Sequence, residues 1–463
     1  MLKIIFLFLM SGGLPVAIAM AGSVIIYALW TGSVPAFVVI HRMISGIDSF
    51  PLLAVPFFIL AGNLMNNAGI TNRIFSLALA LVGWLKGGLG HVNIMASVIF
   101  SGMSGTAIAD AAGLGTIEIK AMKEQGYSSE FAAGVTAASA TLGPIIPPSL
   151  PFVIYAMLAN VSVGSLFLAG IVPGLLLALM MMAAVSFFAW RNGWGGDVKF
   201  HAGRFGKAVS EFAVVIGWPI AIWLLVQAGA PPRITVFAGL ILLFVADRIF
   251  RFHAVLPIMT PVLLVGGMTT GLFTPTEGAI AACLWAMVLG FFWYRTLSFK
   301  VFTKVCLETV ETTATVLFIV AASSIFAWML TATGVTAAIA AWVLGFTHEA
   351  WTFFLLANLL MLFVGCFLEP TAAITILVPI LLPIAQQLGI DPIHFGLVMV
   401  LNLMIGLLTP PVGLVLFIMA RITGMSVERT TVAILPWFVP LLFSLAIITY
   451  FPGLFMWLPR MFY

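Results

Sequence analysis

Apolar residues fill this chain in long runs rather than in alternation. Runs of roughly 17–25 such residues, the length a helix needs to cross a bilayer, recur at 14–32, 51–68, 130–158, 163–190, 212–229, 233–250, 254–272, 275–294, 312–332, 393–420 and 431–451. Two further segments, 93–123 and 350–387, are apolar but interrupted in the middle. They are predicted to be hairpins that enter and leave from one side. Segments 73–90 and 335–346 are too short or too polar for comfortable crossings and are expected along the interface. Period-two alternation is absent, which argues against a membrane β-barrel. The pattern predicts an all-α polytopic membrane protein.

Composition agrees, since 63% of the 463 residues are hydrophobic and only 7% charged, against about 25% charged in soluble domains. The start, MLKIIFLFLM, resembles a signal peptide, with Ala17-Ile18-Ala19 as a cleavage-like site. The apolar run nevertheless continues to Trp30, so it reads as the first crossing. The number of crossings is odd, which puts the termini on opposite sides. With the N-terminus inside, all of the 19 Lys and Arg except Arg42, Arg233 and Arg460 fall on the inner side, as positive-inside bias requires. The net charge of +4 therefore reflects topology, not a nucleic-acid partner.

One stretch breaks the apolar pattern with special force. SATLGPIIPPSLPF, 139–152, sets four prolines inside a predicted crossing, where each removes a backbone donor and clashes with the preceding turn. GLLTPPVG, 406–413, echoes it: Pro410 follows Pro147 by 410 − 147 = 263 residues. The same offset carries Gly126 to Gly389 and Pro173 to Pro436. An offset of 264 carries 161–163 to 425–427, and one of 265 carries 68–70 to 333–335. The spacing predicts two homologous halves, 1–190 and 254–463, joined by 191–253 with a helix pair in it. Segment 130–158 would run outward and 393–420 inward, so the halves are inverted. Inverted repeats with broken helices near the midplane mark secondary transporters.

Non-helical backbone is tolerated at membrane depth only where it is buried in protein or lines a wet cavity. Gly143, Pro144, Ile146 and Pro148 supply it in the first half, and Gly406, Thr409 and Pro411 in the second. Freed carbonyls suit a small hard cation, and restarting helices offer N–H groups to a carboxylate. The hairpin tips, SGMSGTAIAD and GCFLEPTAAI, add the hydroxyls of Ser104, Thr106 and Thr371. Asp110 and Glu369 sit beside those tips, where an acid attracts cations or takes protons. Glu277, after Thr276 and Pro275, reads as a helix-start residue. The competing reading is that the prolines only kink helices.

Enzyme chemistry finds no foothold. The histidines show no HExxH spacing, no GxxxxGK[ST] loop occurs, and GMSGT lacks the GxSxG spacing. The cysteines Cys283, Cys306 and Cys366 are scattered and read as packing residues.

Taken together, SGMSGTAIADAAGLGTI, TLGPIIPPS, GLFTPTEGA, FLEPTAAITILVPILLPI and LTPPVG resemble the large membrane subunit of tripartite ATP-independent periplasmic (TRAP) transporters. The resemblance covers nearly the whole chain. It implies uptake of an organic acid, such as a C4-dicarboxylate or sialic acid, across a bacterial inner membrane. It implies Na+ as coupling ion, no organic cofactor, and an elevator-type fold in which a mobile body slides against a scaffold. The implied partners are a small four-helix membrane subunit and a periplasmic substrate-binding protein, with the N-terminus cytoplasmic and the C-terminus periplasmic. By the same resemblance, Ser104 and Gly105 with Gly143, Ile146 and Pro148 form one sodium site. Gly365 and Thr371 with Met404, Gly406 and Thr409 form another. The substrate falls to Thr106, Asp110, Ser149, Glu369 and Pro411. The helix pair at 212–250 departs from the family pattern. A stand-alone sodium- or proton-coupled carboxylate symporter of similar fold is the alternative.

Overall fold

A computed structural model of the chain describes all residues except 33, 49, 230, 251, 253, 270–272, 347–348, 411–412 and 463. Among the described residues it is built from helices, with no β-strand element. Among the described residues, six helices are long and apolar enough to cross a membrane. Other apolar helices among the described residues are shorter, at 10–17 residues.

The N-terminal run is two helices rather than one. Leu2–Ser11 ends at Gly12, Gly13 takes φ +80°, and Pro15 caps Val16–Thr31. Gly-Gly followed two residues later by proline ends the first helix, although every flanking residue is apolar. An amphipathic helix, Ala36–Ile47, follows and was not foreseen. Helices Ile70–Val82 and Val335–Phe346 have 13 and 12 residues, about 20 Å at 1.5 Å per residue, too short to cross.

One group of helices forms a framework. Ala54–Asn67 packs along Pro275–Met287, and Phe299–Ala332 contacts Val16–Thr31, Ala36–Ile47 and Ala54–Asn67. Phe299–Ala332 has 34 residues, about 51 Å, and so starts well before the predicted crossing at 312. Its first turns carry Lys304 and Glu308, 3.7 Å apart at i,i+4, a polar helical stretch that hydropathy alone passes over. The pair Ala202–Gln227 and Pro232–Phe250 joins this group. Trp293 Nε1 donates to Asp247 Oδ2 at 2.8 Å, and Ala254 N–H donates to Glu211 at 3.1 Å.

The second group holds the interrupted segments. The first hairpin is Gly88–Ser104 with a return through Ala107–Ala109, a π turn and Gly115–Glu124. The first broken helix is Ser129–Ala140 with Leu150–Ala159. The second hairpin is Ala350–Gly365 with Pro370–Gln387, and the second broken helix is Pro392–Gly406 with Leu414–Thr423. Their punctuation repeats. Thr106 and Glu369, 369 − 106 = 263 residues apart, both N-cap the return arm of a hairpin. Gly126 and Gly389 take φ +85° and +73°; Asn160 and Gly424 end helices at +53° and +76°. Lys123 Nζ donates to the Thr423 carbonyl at 2.9 Å, and Arg429 pairs with Glu130. These contacts tie the first hairpin and broken helix to the second half.

Proline alone does not decide where a helix breaks. Pro173, Pro219, Pro261, Pro379 and Pro383 all sit inside continuous helices. Residues 141–149 leave the helix because three prolines fall within five positions, each removing a donor that its neighbours cannot replace.

Candidate functional site

The first break opens after Thr141, whose hydroxyl bonds back to the Ala138 carbonyl at 2.6 Å. The chain then runs through a cis Pro147–Pro148 bond to Ser149. Ser149 is fully buried; its hydroxyl donates to the Pro144 carbonyl and accepts from Phe152 N–H at 3.3 Å. The helix that restarts there is capped from within.

The first hairpin tip meets this break backbone to backbone. Gly105 ends its helix at φ +64°, and its carbonyl accepts from Leu150 N–H at 3.3 Å. A Cβ on Gly105 would lie 2.9 Å from the Pro148 carbonyl oxygen, so only glycine permits the approach. The Ser104 hydroxyl donates to Asp110 Oδ1, while Asp110 Oδ2 is buried without a hydrogen-bond partner. A Cβ on Gly143 would lie 2.9 Å from that Oδ2 and 3.0 Å from the Thr106 carbonyl. The Asp110 carboxylate, the Ser104 hydroxyl and the Thr106 carbonyl thus come together beside Gly143, a donor set suited to a hard cation.

The second tip repeats the approach with other residues. Gly365 and Gly406 touch through their backbones: a Cβ on Gly406 would lie 2.6 Å from Gly365 Cα. Thr409 Oγ1 donates to the Gly406 carbonyl at 2.6 Å and lies 2.9 Å from Cys366 Sγ. Glu369 caps the return helix, accepting from Ala372 N–H at 3.3 Å and from the Thr371 hydroxyl at 2.9 Å.

Between the two tips and the framework lies a cavity of about 390 Å³, within the usual range for a small-molecule site. Ser104, Thr106, Glu369, Thr371 and Met404 line it, together with Pro144 and Leu150 from the first break. The framework contributes Asn63, Asn66, Thr312 and Val316. Among the described residues, no lysine or arginine lines the cavity.

The family model described as "Tripartite ATP-independent periplasmic transporter, DctM component" matches residues 3–454. The chain belongs to this family. It is 40% identical to the sialic acid TRAP transporter large permease protein SiaM of Vibrio cholerae, over 98% of this chain and 96% of that protein. It is 37% identical to the C4-dicarboxylate TRAP transporter large permease protein DctM of Pseudomonas aeruginosa, over 89% and 87%. Its fold resembles that of the Alcanivorax borkumensis YdaH transporter, with TM-score 0.59, 14% identity and coverage of 90% and 88%. This DctM-family chain is thus a multi-pass transporter permease and not an enzyme.

The candidate residues separate by position in this permease. Ser104, Gly105, Gly143 and Pro148 gather around Asp110 and Thr106. The Ile146 side chain packs against Gly174. Gly365, Thr371, Gly406 and Thr409 gather at the second tip, with Met404 on the cavity wall. Among the substrate candidates, Thr106 and Glu369 face the cavity, whereas Asp110 and Ser149 lie behind its wall. Pro411 lies outside the described residues. Glu277 is a helix-start residue: with Thr274 it forms a reciprocal capping box, its carboxylate accepting from Thr274 N–H at 2.8 Å. Buried Cys283 donates to the Phe57 carbonyl at 3.0 Å, a packing role.

Asn63, Asn66 and Thr312 escaped the sequence reading. Asn63 Nδ2 reaches Thr309 Oγ1 at 3.2 Å, and Asn66 accepts from Thr71 at 3.2 Å. The available signal was AGNLMNNAG, which places three asparagines in an otherwise apolar run.

Proposed function

We propose that this permease imports an organic acid across the bacterial inner membrane, coupled to sodium. A small four-helix membrane subunit and a periplasmic substrate-binding protein act with it, the latter delivering the ligand. The observation that carries this reading is the cavity shared by both hairpin tips, the first break and the framework. Its size suits a small acid, and relatives named for sialic acid and C4-dicarboxylate transport fit that class.

With no cationic side chain in the lining, the carboxylate is held by hydroxyls, asparagine amides and the positive ends of the helices at Ala107 and Pro370. Sodium binds beside each tip, the first ion among Ser104, Gly105, Thr106, Asp110, Gly143 and Pro148. The second binds among Gly365, Thr371, Gly406 and Thr409. An ion at either place neutralises oxygens that would otherwise face the substrate's charge, so ion and acid favour each other. The hairpins and broken helices then slide as one body along Ala54–Asn67 and Phe299–Ala332. The two halves, 1–190 and 254–463, are inverted repeats, with the N-terminus cytoplasmic and the C-terminus periplasmic.

Uptake into proteoliposomes containing the permease and both partners tests this reading. Accumulation driven by an inward sodium gradient, and lost in potassium or choline, is the expected result. Uptake that ignores sodium overturns the coupling. Full uptake without a binding protein makes the permease a stand-alone symporter.

A further inference from the structure

The first hairpin holds a second buried acid that the sodium and substrate positions do not use. Glu118 is 1% exposed on the return arm. Asn93 Nδ2 donates to its Oε2 at 2.6 Å and to Thr136 Oγ1 at 2.7 Å; the Ser139 hydroxyl donates to Asn93 Oδ1 at 2.7 Å. Asn93, Thr136 and Ser139 are themselves at most 1% exposed. Glu118 Oε1 has no partner.

The repeat shows what is special here. Asn93 and Ser139 correspond to Asn358 and Asn402, at 358 − 93 = 265 and 402 − 139 = 263, and Asn402 donates to Asn358 at 2.7 Å. The polar link between hairpin and broken helix is therefore common to both halves. The acid is not: positions 381–383, at the same offsets from 118, are Leu, Leu and Pro. Holding the hairpin to the broken helix does not require Glu118.

An ionised carboxylate buried with a single donor and no cation is costly enough that it neutralises instead. The free valence at Oε1 suits a proton rather than a metal ion, because a hard cation needs several oxygens at once. The Asn93 amide hydrogens already fill the opposite side of the node. Around it, the packed elements carry Asp110 on the π turn, His91 on Gly88–Ser104, Glu130 on Ser129–Ala140 and Arg421 on Leu414–Thr423. His91 is engaged with Ser186, Glu130 pairs with Arg429, and Arg421 is exposed. Lys120, Lys123 and Glu124, on Glu118's own helix, are exposed too. Asp110, itself an acid, offers Glu118 no compensating positive charge.

We propose that the Asn93–Glu118–Thr136–Ser139 node is a proton-binding site, with the proton on Glu118 Oε1, and that uptake requires it there. The proton comes from water and returns to water; no other bond changes. The link to uptake rests on the transport reading above; the proton on Glu118 does not.

The test uses the full-length permease with its partners. Infrared difference spectra of wild type against Glu118→Gln should show a protonated carboxyl stretch lost in the variant and kept in Glu118→Asp. Wild-type uptake should fall roughly tenfold per pH unit above the titration point of Glu118, while Glu118→Gln, a permanently neutral mimic, changes less than about twofold. A carboxyl band unchanged in Glu118→Gln overturns the site. A wild-type pH profile in Glu118→Gln makes Glu118 structural only. If no variant and no wild type takes up substrate, the transport reading fails, and the infrared result still decides the proton.

Discussion

In the first half, nine residues from Thr141 to Ser149 leave the helix, and an acid with one uncommitted oxygen, Asp110, faces them. In the second half, the interruption after Gly406 is shaped by glycine, with Gly365 pressed on Gly406, and the nearby acid Glu369 is engaged as a helix cap. The same succession of hairpin and broken helix therefore carries two chemistries. The first half presents an uncommitted carboxyl oxygen beside its tip. The second presents geometry: backbone carbonyls held at fixed places by glycine contact and a threonine hydroxyl. Duplicated frames of this kind keep what packing demands and let the site residues diverge.

The largest effect is expected where the geometry is tightest. In Gly406→Val, the new Cβ would lie 2.6 Å from the Gly365 backbone, which cannot rotate away. Forced overpacking of this kind costs about 3 kcal/mol, so the variant should lose its monodisperse peak in size-exclusion chromatography and all uptake. Gly143→Ala meets the Asp110 carboxylate at 2.9 Å, which can turn, and the Thr106 carbonyl at 3.0 Å, which need give by only a few tenths of an ångström. That variant should fold and bind sodium more weakly. If Gly406→Val kept the wild-type melting temperature, the geometric role of the second half would be lost.

Charge comes next. Asp110→Asn removes the uncommitted oxygen's charge at the first tip and should weaken sodium binding at least about tenfold, ~1.4 kcal/mol. Glu369→Ala removes a cap and should cost about 1 kcal/mol of stability while changing sodium affinity less than twofold. Isothermal titration of sodium into the purified variants reads both. Equal affinity losses would erase the contrast between the halves. Thr409→Val should fall between these, because losing one hydroxyl at the second tip is worth about 0.5–1.5 kcal/mol. A sodium affinity equal to wild type would remove that side chain from the site.

The sequence disclosed features that act locally along the backbone. Clustered Pro144, Pro147 and Pro148, the glycines matched at 126 and 389, and the helix-start acid Glu277 work within a few residues, so their spacing carried their meaning. It did not disclose what depends on neighbours across the fold. Asn63 and Thr312 are ordinary polar residues until Ala54–Asn67 and Phe299–Ala332 turn them toward the hairpin tips. Glu118 reads as one charge in an amphipathic stretch until Asn93 and Thr136, 25 and 18 residues away, close over it. The polar first turns of Phe299–Ala332 and the Gly-Gly break after Ser11 were missed for a simpler reason. Hydropathy reports lipid contact, and neither feature depends on lipid.

The smallest effect should come from the acid that lies in neither tip. Glu277 resembles Glu369 in sequence, since each stands beside a proline and a threonine at a helix start; Glu369 is the N-cap of its helix, and Glu277, in the first turn, closes a capping box with Thr274. The difference is what else they face. Glu369 lines the cavity between the tips, whereas Glu277 is on the framework and is not among the residues of that wall. Its carboxylate accepts from the backbone and hydroxyl of Thr274 at 2.8 Å each, a bond that glutamine also makes. Glu277→Ala should therefore lower the melting temperature slightly, and Glu277→Gln should not. Neither should move the sodium concentration for half-maximal uptake. A shift of that concentration in Glu277→Ala would mean that framework charge reaches the ion sites, and the acids could no longer be sorted by which body carries them.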